Sequence, residues 1–211
     1  MKTDDLIDML AQDAPIRVRL GRILAGGALV GGMFSVVILA AAIGIRPHMW
    51  EALHSIRVAF KITVTILIFV FTYRLVAQIG KPGIKLKPYL LMLLIPLCLV
   101  IAGVAIELVV LPADLWRQNL VGRYASGCLV SIPILSLAPM LFFFWALRQG
   151  APDHAGFAGA SAGLAAGGLG AAIYAWHCPD DSPLFMATWY LLAIAAVTIS
   201  GYLAGRRWLV W

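Results

Sequence analysis

The sequence predicts an all-α protein, a polytopic membrane bundle of six transmembrane helices with a short cytoplasmic amphipathic helix before the first of them. The composition favours this class, because 62% of the 211 residues are hydrophobic and only 12% are charged. The mean hydropathy is +0.93. In addition, six apolar stretches are each long enough to cross a hydrocarbon core about 30 Å thick, which takes about 20 residues in a helix. The stretches must be helical, since an open sheet would leave backbone groups unpaired in lipid and the alternating pattern of a barrel is missing.

The predicted spans cover residues 23–45, 58–79, 89–111, 125–147, 154–176 and 186–209. They divide the chain into a tail, residues 1–22, and a transmembrane domain, residues 23–211. The first span is not a secretory signal, because its apolar core is too long for one and five further spans follow it.

The distribution of basic residues predicts the orientation. Eleven of the 16 Lys and Arg residues flank the spans on the side that carries both termini, and the other five are Arg46, Arg57, Lys61, Arg117 and Arg123. The positive-inside rule therefore places both termini in the cytoplasm and the loop around Cys178 outside. The net charge of +6 follows from this topology, and no basic soluble module is present that would bind nucleic acid directly.

Small residues and prolines within the spans predict close packing and kinks. Gly27 and Gly31 in the first span, and Gly159 and Gly163 in the fifth, follow four-residue spacing. That spacing puts small surfaces on one helix face, where another helix can approach closely. Pro139 should bend the fourth span, because proline removes a hydrogen bond from the helix.

Two ionisable residues lie within the predicted spans, where charge is costly and usually paired. Lys61 is near the outer end of the second span and Glu107 near the outer end of the third. Because these helices run antiparallel, we expect the two residues at similar depth, joined in an intramembrane ion pair. Arg57, on the same face as Lys61, is a second candidate partner for Glu107. The alternative is an ion path in a small transporter or channel, although such sites usually lie at the membrane centre between internal repeats, and we find no convincing repeat.

The three cysteines differ in their predicted surroundings. Cys98 lies in the middle of the third span and is expected to behave as a small apolar residue. Cys128 and Cys178 are predicted at comparable height on the outer side, with both thiols reachable from outside, which permits a disulfide or a thiol sensor. His177 beside Cys178 adds a soft ligand, yet a complete metal site needs three or four ligands. Inert cysteines remain an alternative, and no metal or cofactor is predicted.

The tail has the pattern of a short amphipathic helix that ends at Pro15. Its apolar stripe includes Leu6, Ile7 and Leu10, and its acidic face includes Asp4, Asp5 and Asp8. A helix of this length is marginal in water, so the tail is either a solvated, partly disordered terminus or a segment that orders on docking into a groove. The acidic face disfavours anionic lipid and favours a basic protein partner.

Two segments resemble one family. The opening MKTDDLIDMLAQD and the segment WHCPDDSPLFMATWY, residues 176–190, are similar to the NrsF-type membrane anti-sigma factors, which cross the bacterial inner membrane six times. The resemblance implies that the chain is not an enzyme. It also implies that the tail binds a sigma factor of the extracytoplasmic-function class and that an outer-side stress signal, sensed near the cysteines, relieves the inhibition.

Residue by residue, the resemblance covers the docking and sensing positions. Those that match the docking motif are Asp4, Asp5, Leu6, Ile7 and Leu10. Cys128 and Cys178 match the paired cysteines of the family, whereas Cys98 has no counterpart in that pattern. The middle spans match only in layout, so the expected roles of Lys61 and Glu107 rest on the charge argument alone. A membrane redox enzyme is a weaker alternative, because the sequence shows no cofactor motif.

Overall fold

The structure, a computed structural model, describes residues 20–81, 83–150 and 152–210. In these ranges all regular secondary structure is helical, and six helices are long and apolar enough to cross a membrane. The prediction of an all-α bundle with six transmembrane helices is therefore confirmed.

The bounds of the spans are close to those expected from hydropathy. The first, second, third, fifth and sixth spans are Leu20–Ile43, Ile56–Ile79, Lys87–Val110, Ala155–Tyr174 and Pro183–Trp208. The fourth span is the helix Ala125–Leu147. Two short helices, Met49–Ala52 and Ala113–Val121, lie in the connections that follow the first and third spans.

Two spans contain a π-helical turn. In the first span, the α-helix Leu20–Ile38 continues into the π-turn Leu39–Ile43. The sixth span begins with the short helix Pro183–Phe185, passes through the π-turn Met186–Tyr190 and continues as an α-helix to Trp208. Turns of this kind often mark functional positions in helices. Both lie near the end of the bundle that carries Cys178.

The fifth span is the centre of the bundle and packs against the second, fourth and sixth spans. Glycine makes its contact with the sixth span possible. A Cβ atom on Gly159 would lie 2.3 Å from the carbonyl oxygen of Gly201, and one on Gly163 would lie 2.6 Å from that of Val197. Since neither backbone can withdraw, a larger side chain would separate the helices. The expectation of close packing at these glycines is confirmed.

The first span docks on the fourth in the same way. A Cβ atom on Gly31 would lie 2.7 Å from the Cα atom of Pro139, and one on Gly27 would lie 2.9 Å from the Cβ atom of Phe142. The helix that continues the tail is therefore in backbone contact with the helix that carries Cys128.

Candidate functional site

The candidate site lies at the end of the bundle that the Lys and Arg distribution predicts to face outward. Its central part is residues 178–182, here called the Cys178 segment, which connects the fifth span to the sixth. This segment contacts the beginning of the fourth span and charged side chains of the second and third spans. The site therefore draws on the second to sixth spans and on the connection between the last two of them.

Cys128 and Cys178 face each other in the site. Cys128 lies on the first turn of the fourth span, and the backbone amide of Cys178 donates to the carbonyl oxygen of Tyr174 at the end of the fifth. Both cysteines are free, and their sulfur atoms are 4.0 Å apart. The fourth and fifth spans are thus adjacent at this end, as the comparable height of the two cysteines suggested.

The expectation that both thiols can be reached from outside is wrong, because each cysteine is 0% exposed. They belong to a core cluster with the rings of Tyr174, Phe185 and Tyr190. Hydropathy placed the cysteines near the membrane boundary, but it could not show that the start of the sixth span folds over them. Cys98, in contrast, is exposed on the surface of the third span.

The surroundings of Cys178 affect the protonation of its thiol. The hydrogen bond from the Cys128 thiol lowers the pKa of the Cys178 thiol below its ordinary value, and the positive charge of Lys61 acts in the same direction, although burial opposes both. A lowered pKa favours the thiolate of Cys178, which is the reactive form of a cysteine.

His177 does not join the thiols. Its Nδ1 atom lies 3.0 Å from the carbonyl oxygen of Gly44, and its ring packs against the rings of Tyr124 and Tyr174. Within the described ranges, no group of three or more His, Cys, Asp and Glu side chains is placed to hold a metal ion. His177 thus ties the connection after the first span to the end of the fifth.

Lys61 is almost completely buried, at 1% exposure, and points into the Cys178 segment. Its ammonium group donates to the carbonyl oxygen of Cys178 at 2.8 Å, to that of Asp180 at 3.3 Å and to the Asp181 carboxylate at 2.5 Å. It also lies 5.9 Å from the centre of the Tyr190 ring. All three donors of the ammonium group are used, so a buried charge is tolerated here.

The predicted ion pair between Lys61 and Glu107 is wrong. Lys61 pairs with Asp181, whereas Glu107 lies 3.3 Å from Arg57 and accepts a hydrogen bond of 3.0 Å from the Ser182 hydroxyl. Both residues are buried near the same end of the bundle, as expected. The Cys178 segment supplies polar groups to each of them, and a connection of this kind cannot be placed by hydropathy.

Sequence reasoning missed Asp180 and Asp181. One carboxylate oxygen of Asp180 accepts hydrogen bonds from the backbone amides of Arg123, at 3.0 Å, and Tyr124, at 2.8 Å, just before the fourth span. Asp181 bridges Lys61 and Arg46, with the Arg46 bond at 2.7 Å. A useful signal was available, because two adjacent acidic residues next to an outer cysteine can neutralise a lone lysine inside a span.

A polar cleft of about 470 Å³ borders the Cys178 segment. The charged and amide side chains that line it include Arg57, Gln118, Asn119, Arg123, Asp180 and Asp181. The cleft brings water-accessible polar groups next to the segment, while the thiols themselves stay buried.

The predicted docking residues lie elsewhere in the chain. Asp4, Asp5, Leu6, Ile7, Asp8 and Leu10 all fall outside the described residues. The described part of the chain begins at Leu20, in the helix of the first span.

Residues 10–211 match the family described as "NrsF: Negative regulator of sigma F". The chain belongs to this family. It is 30% identical over 217 aligned positions to a protein of Caulobacter vibrioides (strain NA1000 / CB15N) named anti-sigma-F factor NrsF, with 100% of both chains covered. It is 27% identical, also over 217 positions and 100% of both chains, to a protein of Azospira oryzae (strain ATCC BAA-33 / DSM 13638 / PS) named probable anti-sigma-F factor NrsF. No solved structure matches the chain.

The match confirms the resemblance found in the two sequence segments. NrsF proteins are a family of anti-sigma factors and not of enzymes. The family thus agrees with the expected regulatory class, and it disagrees with the transporter and redox-enzyme alternatives.

Proposed function

We propose that this protein is a membrane-anchored anti-sigma factor that sequesters an extracytoplasmic-function sigma factor through its N-terminal tail. It releases the sigma factor when an outer-side stress signal acts on Cys128 and Cys178. The observation that carries the regulatory part of this proposal is the family match over residues 10–211. The partners are the sigma factor and the lipid bilayer, and the protein makes no direct contact with nucleic acid.

The pattern of the tail supports sequestration. A sigma factor must bind polymerase and DNA through basic surfaces, and an acidic helix that occupies such a surface competes with those contacts. The apolar stripe formed by Leu6, Ile7 and Leu10 would fill a groove, and the acidic face formed by Asp4, Asp5 and Asp8 would meet its basic rim. Tethering to the bilayer also keeps the bound sigma factor away from the nucleoid.

The buried thiol pair supports sensing. Two free thiols 4.0 Å apart can be joined once their sulfur atoms approach to the disulfide distance of about 2.05 Å. A signal shifts the bundle between two packings only if it interacts differently with each of them. Joining the thiols meets that condition, because the bond forms only in the packing that brings them together. His177, which packs beside Tyr174, contributes by holding the neighbouring turn.

The proposed location is the bacterial cytoplasmic membrane, with both termini in the cytoplasm. The excess of Lys and Arg on the side of the termini supports this orientation. It puts the tail where sigma factors are and the Cys178 segment where the outer-side signal arrives.

The ion pairs support a structural role for the buried charges. Lys61 and Glu107 have separate partners, and both lie near one end of the bundle. An ion path would instead place charged groups along the centre of the membrane.

Co-purification tests the proposal directly. The full-length protein, solubilised from membranes in mild detergent, should retain the sigma factor encoded nearest to its gene in about equal amounts. Reconstituted into liposomes without a partner, it should conduct no ions. Failure to retain the sigma factor under reducing conditions, or a partner-independent ion flux, would contradict the regulatory function.

A further inference from the structure

We propose that Lys61 and Asp180 are positioning residues with opposite effects on the thiol pair. The bonds of Asp180 favour joining Cys128 to Cys178, and the bonds of Lys61 oppose it. The inference rests on the proposed sensing function and extends it, because it names the bonds through which oxidation of the thiols would change the packing of the second span.

Asp180 connects the Cys178 segment to the helical turn that carries Cys128. The amide of Tyr124 donates to the Asp180 carboxylate, and the carbonyl oxygen of the same Tyr124 accepts the hydrogen bond of the Cys128 amide, at 2.9 Å. Gly122 makes this arrangement possible, because its φ of +60° suits glycine and a Cβ atom there would lie 2.8 Å from the Asp180 carboxylate. Asp180 and Cys128 are therefore bound to the same residue and move together.

Lys61 attaches the Cys178 segment to a different helix, the second span. Its three acceptors all belong to this segment, one of them being the carbonyl oxygen of Cys178 itself. Asp181 extends the attachment to Arg46, after the first span. The segment is therefore attached to the turn before the fourth span through Asp180, to the second span through Lys61, and to the residues after the first span through Asp181.

Oxidation changes the balance between these attachments. Each thiol loses its proton, the two sulfur atoms form one bond, and two electrons and two protons pass to an oxidant such as a low-molecular-weight disulfide, which is reduced to two thiols. The sulfur atoms, now 4.0 Å apart, must approach by about 2 Å, given an S–S bond of about 2.05 Å.

The approach draws the Cys178 segment toward the fourth span. The Asp180 bonds survive, since they join the segment to the same turn as Cys128. The Lys61 bonds lengthen, because their donor lies on the second span. A buried ammonium group that loses acceptors is strongly destabilised, so the second span must repack around Lys61. Oxidation of the two thiols thus changes the packing of the second span, because it alters the bonds that Lys61 makes to the Cys178 segment.

The equilibrium between thiols and disulfide tests the inference, because the substitutions of Lys61 and Asp180 should change its constant in opposite directions. The full-length protein in a Cys98→Ala background is equilibrated with mixtures of reduced and oxidised glutathione, denatured, alkylated and analysed by mass. Lys61→Met should raise the equilibrium constant for disulfide formation about tenfold, equivalent to about 30 mV for this two-electron couple. Asp180→Asn should lower the constant about tenfold.

Two substitutions of the same chemical type serve as controls. Lys85→Met and Asp114→Asn change exposed residues outside the site, and both should leave the constant unchanged. The effect of Lys61→Met should be the same at pH 6 and pH 8, because it arises from lost bonds to the Cys178 segment and not from ionisation of a thiol. An effect that acted through the Cys178 thiolate would instead become smaller as the pH falls. An unchanged or lowered constant for Lys61→Met, an unchanged or raised constant for Asp180→Asn, or an effect of Lys61→Met that disappears at pH 6 would overturn the inference.

A milder variant covers the case in which Lys61→Met does not accumulate. Arg46→Met removes the second partner of Asp181 at the edge of the site and should raise the constant two- to threefold, and an unchanged constant would count against the inference.

Binding of the sigma factor to the reduced parent protein is measured in parallel. Its absence would contradict the proposed function, whereas the thiol equilibrium reports on Lys61 and Asp180 independently.

Discussion

The Ser35 hydroxyl of the first span lies 2.6 Å from the carbonyl oxygen of Leu135 in the fourth. Pro139, four residues after Leu135, has no N–H to donate to this oxygen, so the proline in the fourth span leaves an acceptor that the first span uses. This bond joins the helix that continues the tail to the helix that carries Cys128. It offers a physical connection between the proposed docking and sensing regions.

Ser35→Ala should therefore destabilise the bundle. Hydrogen bonds between membrane helices contribute about 0.6 kcal/mol on average and up to about 1.7 kcal/mol, and we expect a loss in this range from thermal unfolding in detergent. The Ser35 hydroxyl also lies 2.9 Å from the carbonyl oxygen of Gly31 in its own helix. Ser161→Ala is the matched control, because the Ser161 hydroxyl is buried and has a partner of this intrahelical kind, the carbonyl oxygen of Phe157, without a partner on another helix among the described residues. Equal losses for the two variants would show that the bond to Leu135 adds nothing.

Gly159→Ala should separate the fifth and sixth spans. The added methyl group would meet the backbone of Gly201, which cannot move aside as a flexible side chain would, and overpacking typically costs about 1–3 kcal/mol. We expect a lower midpoint of thermal unfolding. Gly26→Ala is the control, since a Cβ atom there has open space, and it should be neutral or slightly stabilising. An unfolding midpoint for Gly159→Ala as high as that of the parent would contradict this packing argument.

The combination of Leu6→Ala with Leu10→Ala should weaken sigma-factor binding. Burial of one such side chain is worth about 1.5–3 kcal/mol, so loss of both should raise the dissociation constant about a hundredfold or more. The measurement is titration of the solubilised protein with the sigma factor, and membrane insertion should be normal. Gln12→Ala, a polar change in the same tail, should have little effect. Undiminished binding by the double variant would rule out docking through this stripe.

Burial of the thiols predicts slow labelling. A membrane-impermeant maleimide should modify Cys128 and Cys178 slowly in the folded, reduced protein and rapidly after denaturation in detergent. Gln118→Cys introduces an exposed thiol at the same end of the bundle and should react at once, which shows that the reagent has access. Rapid labelling of either native cysteine in the folded protein would mean that the Cys178 segment opens readily.

Serine substitution tests sensing in cells. Cys128→Ser or Cys178→Ser should leave sequestration of the sigma factor intact but prevent its release by the inducing stress, because no bond can then form between the two positions. Promoter activity with and without stress reports both properties. Cys98→Ser is the control and should behave like the parent. Normal induction in both single variants would move the sensor away from these cysteines.

Sequence alone determined the fold class and most of the helix bounds. Six apolar stretches can satisfy their backbone hydrogen bonds in lipid only as helices, so length and hydropathy were sufficient. The four-residue spacing that includes Gly159 and Gly163 also identified a face for close packing, since helical geometry repeats along one face regardless of the partner. The pairing of Cys128 with Cys178 was among the possibilities because both were predicted at one height.

Only the tertiary structure decided which groups meet at the outer end. Lys61 was assigned to Glu107 because both lie in helices of predictable depth, whereas its partner Asp181 lies in the connection between two spans. The direction of such a connection is set by the packing of the helices that it joins, and neither hydropathy nor periodicity contains that information. The burial of Cys178 has the same origin, because the beginning of the sixth span covers it only once the fifth and sixth helices are packed together.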